Sequence, residues 1–317
     1  MPAPVIFFAY NRPSHTLKTI SALQANEFAS QSDLFVYCDG PKADATEKEL
    51  TAIHDTREVF KAKLTFKSVT IYESDTNKGL FNSLTSGITT IINKFGKAII
   101  VEDDILTSPY FLSYCNKALD YYENEEKVMA ISGYKFPIKG NTPSNFFLTS
   151  GGVWGWATWK RAWNKFNPNA GMLLTEIENR NLKFSFNFDN SYDYFQMLTD
   201  QKQNKLSSWD ICWYASIFIS EGVTIYPSKT FVQNIGMDGS GTHYNKNSAK
   251  EYHNAKLFSN ENEYKNIVAN FPADIYVYKN IYIEHCKYFS GLVRNSLLSK
   301  LKVKTNNLFG IFKPHTN

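Results

Sequence analysis

Lys97-Ala98-Ile99-Ile100-Val101-Glu102-Asp103-Asp104 sets a short, nearly all-apolar run directly against three adjacent carboxylates. A run of this length from Lys97 to Val101, apolar after its first residue, is the pattern of a strand buried on both faces. Thr107-Ser108-Pro109 follows and is expected to open a helix, proline being suited to a first helical turn. Upstream, the same alternation repeats. Val5 to Tyr10 is an apolar run closed by Asn11-Arg12-Pro13, and Ser14 to Gln24 has helical spacing through Leu17, Ile20 and Leu23. Leu34 to Cys38 reads as a second strand ending at Asp39-Gly40-Pro41, after which Asp44-x-x-Glu47 is expected to cap a helix. Ser68 to Tyr72 gives a third strand, and Lys78 to Asn93 a helix with Leu80, Leu84, Ile88 and Ile91 on one face. Strands separated by helices predict an α/β fold: a mostly parallel, twisted sheet with helices on both faces.

The second half is less regular. It holds a tryptophan cluster from Trp154 to Trp163, an aromatic and polar stretch from Asn181 to Lys205, and Trp209-Asp210 opening a helix. Val223 to Tyr226 and Thr230 to Gln233 read as strands, followed by a glycine-rich segment from Gly236 to Gly241. The expected organisation is one domain over residues 1–285, with a nucleotide-binding half at 1–110 and an acceptor-binding half at 111–285. Residues 286–317 form a basic, amphipathic tail. Its Lys287, Arg294, Lys300, Lys302 and Lys304 lie among Phe289, Leu292, Leu297, Leu298 and Leu301. That mix suits either peripheral contact with an anionic membrane or docking on the protein's own core.

Composition narrows the function classes. A net charge of +4 over 317 residues gives no concentrated basic face, which argues against nucleic acid as a partner. Cys38, Cys115, Cys212 and Cys286 stand far apart with no C-x-x-C pair, so reduced thiols in the cytoplasm are expected. The N-terminus lacks the basic flank and cleavage site of a signal peptide, and no apolar run approaches the about 20 residues of a membrane span.

Arg12, Asp39 and Glu102-Asp103-Asp104 all sit just past expected strand ends, where ligands gather in sheets of this type. Three adjacent carboxylates repel one another and call for a cation, and Mg²⁺ or Mn²⁺ shared with substrate phosphates meets that need. The bland reading is a solvated acidic turn. Asp39 has the chemistry to accept from the N3–H of a uracil ring, while Asp-Gly-Pro is equally ordinary turn chemistry. Arg12 suits phosphate oxygens, or is a surface arginine beside a helix start. Lys78, before a helix, faces either an anion or solvent. Asp210 is placed to act as a general base, and Ser207-x-x-Asp210 also matches a capping box. Trp156, Trp159 and Trp163 recur at helical intervals and read as core. Trp154 is the better platform for a sugar face, with Gly155 allowing close backbone approach. His243, in a polar loop, is within reach of a metal or diphosphate if that loop closes.

Taken in order, these pieces resemble the GT-A (Rossmann-like) glycosyltransferases, specifically the N-acetylglucosaminyltransferase I-like branch and its bacterial relatives. The resemblance runs from about residue 4 to 243. It rests on Asn11-Arg12, on Tyr37-Cys38-Asp39-Gly40, on Val101-Glu102-Asp103-Asp104-Ile105 followed by Pro109-Tyr110-Phe111, on Gly155-Trp156, and on Trp209-Asp210. It implies that Asp104 ligates the metal, Asp103 holds the ribose or supports the site, and Glu102 stabilises the turn. Gly155-Trp156 would lie in the donor-sugar region, and Asp210 would be the base of a single inverting displacement. The donor implied is UDP-GlcNAc, UDP-GalNAc or a UDP-Gal-like sugar. The acceptor would be a glycan or lipid-linked glycan of a bacterial surface polysaccharide, and the setting cytoplasmic. Asn77-Lys78 departs from the family's histidine at that point. Two rival classes remain: an inactive carbohydrate- or nucleotide-binding module, and a sugar nucleotidyltransferase, whose glycine-rich first turn is missing from Asn11-Arg12-Pro13.

Overall fold

The structure is a computed structural model that describes residues 1–140, 142–238, 257–291 and 294. Its centre is β1 (Val5–Ala9), every residue of which is buried. Parallel neighbours β2 (Asp33–Cys38) and β4 (Lys97–Glu102) flank it, and β3 (Ser68–Glu73) pairs in parallel with β2 as the half-exposed edge. Beyond β4 the sheet continues through β8 (Trp156–Trp159), β6 (Val128–Ser132), β9 (Val223–Pro227) and β7 (Asn145–Leu148). The order is β3-β2-β1-β4-β8-β6-β9-β7, with β8 and β7 antiparallel to their neighbours and the other six strands running one way. The expected mostly parallel α/β sheet is therefore present. Because β4 pairs directly with β8, the two halves divided at residue 110 share one continuous sheet.

The strand alternation sorts side chains onto two faces. Val5 and Phe7 pack with Ile20 and Leu23 of α1 (Pro13–Gln24). Ile6 and Phe8 pack with Leu84, Ile88 and Ile91 on the opposite face. These come from α3 (Gly79–Phe95), which follows α2 (Glu47–Glu58) in the chain. α3 ends at Gly96, whose φ of 79° lets its N–H reach the Ile92 carbonyl at 2.8 Å.

Three local expectations are corrected. The cap of α2 is Thr46, bonded reciprocally with Glu49, and not the Asp44/Glu47 pair two residues earlier. Thr46-x-x-Glu49 fits the capping box better, since a threonine hydroxyl can both donate and accept. Thr107-Ser108-Pro109 does not open a helix. Ile105–Thr107 forms a short strand, β5, paired with β10 (Val232–Asn234), and α4 begins only at Phe111 (Phe111–Tyr121). Trp156 and Trp159 lie on a strand, and only Trp163 is helical, at the end of the single turn α5 (Lys160–Trp163). Their three- and four-residue spacing spans a strand–helix junction and so imitates a helix. All three are buried, as core residues should be.

Near the C-terminus, helical residues 279–291 run without a break through the position taken as the start of the tail. Ile281, His285 and Phe289 are buried at four-residue intervals, so this helix docks one face on the body of the protein. Lys300, Lys302 and Lys304 lie outside the described residues. Among the described residues no helix is long and apolar enough to cross a membrane.

His285 is fully buried between Phe136, Phe188 and Phe289, with neither ring nitrogen hydrogen-bonded. Burial pushes its pKa down to about 3. An unfolded histidine titrates near 6.5, so below that pH the unfolded chain binds a proton that the folded chain refuses. Stability is full above about pH 6.5 and falls by about 1.4 kcal/mol per unit as the pH drops towards 3. Denaturation of the native protein and of His285→Phe at pH 7 and pH 5 measures this. The native protein is expected to lose about 2 kcal/mol more than the variant, whereas parallel losses would mean the ring is solvated.

Candidate active site

Two strand ends meet first. Arg12 follows β1, and its Nη2 contacts Asp103 Oδ1 while Nη1 lies 3.0 Å from Asp104 Oδ2. Burial disfavours the charged guanidinium, but the two carboxylates beside it outweigh burial and raise its pKa. The Asp103 main-chain carbonyl accepts from Thr19 Oγ1 of α1 at 2.8 Å, which fixes the turn after β4 to that helix. Burial pushes the Asp103 carboxyl up to about 6, with Arg12 pulling it down and Asp104 adding to the rise. Glu102 is raised well above the usual carboxylate range by burial, then by Asp104, Asp103 and Asp210, with Arg12 opposing. The last carboxylate in that series comes from the far half of the chain. Four acids thus share one neighbourhood with one guanidinium.

A strap from β10 closes one side. The antiparallel β5–β10 pair sets Asn234 opposite Ile105, and Ile235 N–H donates to the Asp104 carbonyl at 2.8 Å. Gly236 then lies against the Asp104 carboxylate so closely that a Cβ there would overlap Asp104 Oδ2 and approach Arg12 Nη1 to 2.9 Å. Only glycine fits. His15 of α1 holds the end of the strap through Nε2, 3.2 Å from Asp238 Oδ2. No local pattern marks His15, since its partner is remote in the chain.

Asp210 stands on the first turn of α9 (Trp209–Ile219). The cap of that helix is Ser208, whose Oγ accepts from Ile211 N–H at 3.4 Å and donates to Asp210 Oδ1. The Ser207 capping box is not formed, so Asp210 is not the residue that caps the helix. Its carboxylate reaches a cavity of about 180 Å³ walled by Tyr134, Phe136, Trp154, Tyr192, Tyr194 and Phe289. Burial and the nearby Asp210 raise the Tyr192 phenol. Phe289 joins the walls: its ring lies 5.4 Å from Phe136, 5.5 Å from Tyr192 and 6.1 Å from Tyr194. The stretch from Asn181 to Lys205 was noticed for its aromatics, but its convergence with residues 134–136 and 289 has no local signal.

The remaining candidates divide. Trp154 lines the cavity, its ring 4.7 Å from Tyr134. Gly155 has φ 56°, and a Cβ there would come within 2.6 Å of Val232 Cγ1, so it is a packing glycine. Trp156 was expected beside the sugar. Instead it is 1% exposed, stacked on Trp209 at 5.5 Å and packed near Trp163 and Trp213 in the core. Asp39 Oδ1 accepts from Gly40 N–H at 2.9 Å and Lys78 N–H at 2.8 Å, and Oδ2 from Gly79 N–H at 3.0 Å. Asp39 thereby anchors the start of α3, with three acceptor positions already taken by backbone. The same bonds occupy the Lys78 and Gly79 amides at the start of α3, and the Lys78 side chain is exposed. His243 lies outside the described residues.

Among the described residues no three His, Cys, Asp or Glu side chains gather into a metal-holding cluster. A protein-only cage is thus absent from that part of the chain. The residues do fit a hard divalent ion held the other way, by one carboxylate with the rest of its shell from ligand oxygens and water. Asp104 is part-exposed, as Glu102 is and Asp103 is not, and the surplus of negative charge around Glu102 supplies the attraction.

No family model matches the sequence, and no curated protein sequence matches it. Among solved structures, the fold is similar to residues 1–349 of S. aureus TarS, with a TM-score of 0.40 and 12% identity over 73% of this chain and 60% of that one. A second TarS structure matches at 0.40 and 11%, over 75% and 37%. Mouse xyloside xylosyltransferase 1, in its apo form, matches at 0.39 and 10%, over 81% and 95%. The chain thus spans less than two thirds of either TarS chain.

Proposed function

We propose that this protein is a metal-dependent glycosyltransferase that moves a sugar from a UDP-linked donor to a hydroxyl of a glycan acceptor with inversion. The observation that carries the reading is that Asp210, in the wall of an aromatic cavity, lies near enough to the acidic tip of β4 to help raise the Glu102 pKa. That tip sits at the carboxyl end of a mostly parallel sheet, where ligands of such folds bind.

The diphosphate of the donor belongs at Asp104, beside Arg12. A divalent cation there, Mn²⁺ or Mg²⁺, would be held by Asp104 and would neutralise the diphosphate as it leaves. Arg12 has a second guanidinium face with which to meet a phosphate once a cation takes its place on Asp104. Asp210 accepts the proton of the acceptor hydroxyl as that oxygen bonds to the anomeric carbon and the bond to phosphate breaks. Its Oδ1 is held by Ser208, which fixes the carboxylate and leaves Oδ2 for the acceptor.

A thermal-shift screen of nucleotides and nucleotide sugars, with and without Mn²⁺, tests the reading. UDP and UDP-sugars are expected to raise Tm only when metal is present, by the amount set by RT ln(1 + [L]/Kd). Equal shifts with every nucleotide would remove the uridine assignment, and shifts indifferent to metal would remove the cation.

A further inference from the structure

The cavity beside Asp210 has a composition that selects its occupant. Seven aromatic rings form its walls, and among the described residues Asp210 is the one carboxylate that lines it and no lysine or arginine does. Aromatic faces carry negative charge density and pack well against the C–H-bearing face of a sugar ring. A second carboxylate or a phosphate inserted here would meet that density and Asp210, with no lysine or arginine among the described wall residues to answer it. Like charges brought together without a counter-ion cost binding heavily. The size is informative as well. About 180 Å³ falls well short of the roughly 300–1,000 Å³ of sites for drug-sized ligands, so one sugar ring fills it.

We infer that this cavity binds a single neutral pyranosyl unit of the acceptor and excludes uronic acids and phosphorylated sugars. The assignment to acceptor rests on the transferase reading, because the group that takes the proton must touch the hydroxyl that loses it. Asp210 is that group, and it forms part of the cavity wall. Phe289 makes the cavity depend on the C-terminal helix. That ring closes the space between Phe136 on one side and Tyr192 and Tyr194 on the other, so the helix of residues 279–291 is part of the acceptor site.

Saturation-transfer NMR on the full chain, without nucleotide or metal, tests this with two probes at pH 7: a neutral methyl hexopyranoside and the corresponding methyl uronide. The neutral glycoside is expected to receive saturation on its ring protons, and the uronide to bind at least about tenfold more weakly. Trp154→Ala and Phe289→Ala, each checked for an unchanged Tm, are expected to lose the signal. Because Phe289 is buried and its variant is the one more liable to misfold, Trp154→Ala, on the part-exposed rim, is the decisive variant. Equal or tighter uronide binding overturns the inference. Undiminished binding in Trp154→Ala overturns it too. Sugar binding that persists while UDP-sugars fail to bind would sink the transferase reading and leave a neutral-sugar site standing.

Discussion

Asp210→Asn is expected to slow sugar transfer by about 10²-fold or more while leaving UDP-sugar affinity nearly unchanged. The amide matches the carboxylate in shape and can still accept the Ser208 hydroxyl through Oδ1, so the position of the side chain is preserved. What is lost is the ability to take up a proton. The structure also removes the obvious objection to this variant. Had Asp210 been the cap of α9, its replacement would weaken the helix by roughly 1 kcal/mol. The capping oxygen belongs to Ser208 instead, so Tm should hold. Steady-state kinetics, donor titration and a melting curve on the same preparation separate the outcomes. Unchanged turnover would end the role of Asp210 as base, and a large fall in Tm with proportionate loss of activity would recast it as structural.

How much of this was legible in the sequence follows from where each signal lives. β1, β2 and β4 are fully or largely buried runs with turn residues at their ends, so composition alone marks them. β8 and β7 are four residues each and pair antiparallel. Trp156-Ala157-Thr158-Trp159 carries no period long enough to tell a strand from a turn of helix, and its register is set by β4 and β6. Arg12 was read as a phosphate ligand from its place after a strand. Its ion pairs with Asp103 and Asp104 could not be seen, because they depend on how β1 and β4 lie side by side. Asp39 shows the same limit: a carboxylate in a turn looks available until the start of α3 is found docked on it. The aromatic cavity draws on residues 134–136, 154, 192–194 and 289, and no window of sequence contains that conjunction.

Asp104→Ala is expected to abolish the metal-dependent part of stabilisation by UDP and to lower transfer by about 10²- to 10³-fold, the scale of losing one electrostatic contact to a leaving group. The bare protein should tolerate the change. Removing Asp104 takes away one of the like charges that crowd Glu102, and Arg12 keeps Asp103 as a partner. Arg12→Gln should do the opposite. Asp103 is 4% exposed and would lose the guanidinium paired with it, a loss of about 3–5 kcal/mol when one partner of a buried pair is removed. At the same time Asp104 Oδ2 would be freed from the guanidinium that holds it. If Arg12 and a divalent cation compete for that oxygen, Mn²⁺ should bind Arg12→Gln more tightly than the native protein, by calorimetry without nucleotide, provided the variant is kept below its melting temperature. The pair of variants therefore separates two parts of the site that the native protein fuses: Arg12 holds the acidic tip together, and Asp104 engages the ligand. Metal-dependent stabilisation by UDP that survives in Asp104→Ala would show that the cation is held elsewhere, and the acidic tip of β4 would then be a structural ion-pair network closed by Arg12.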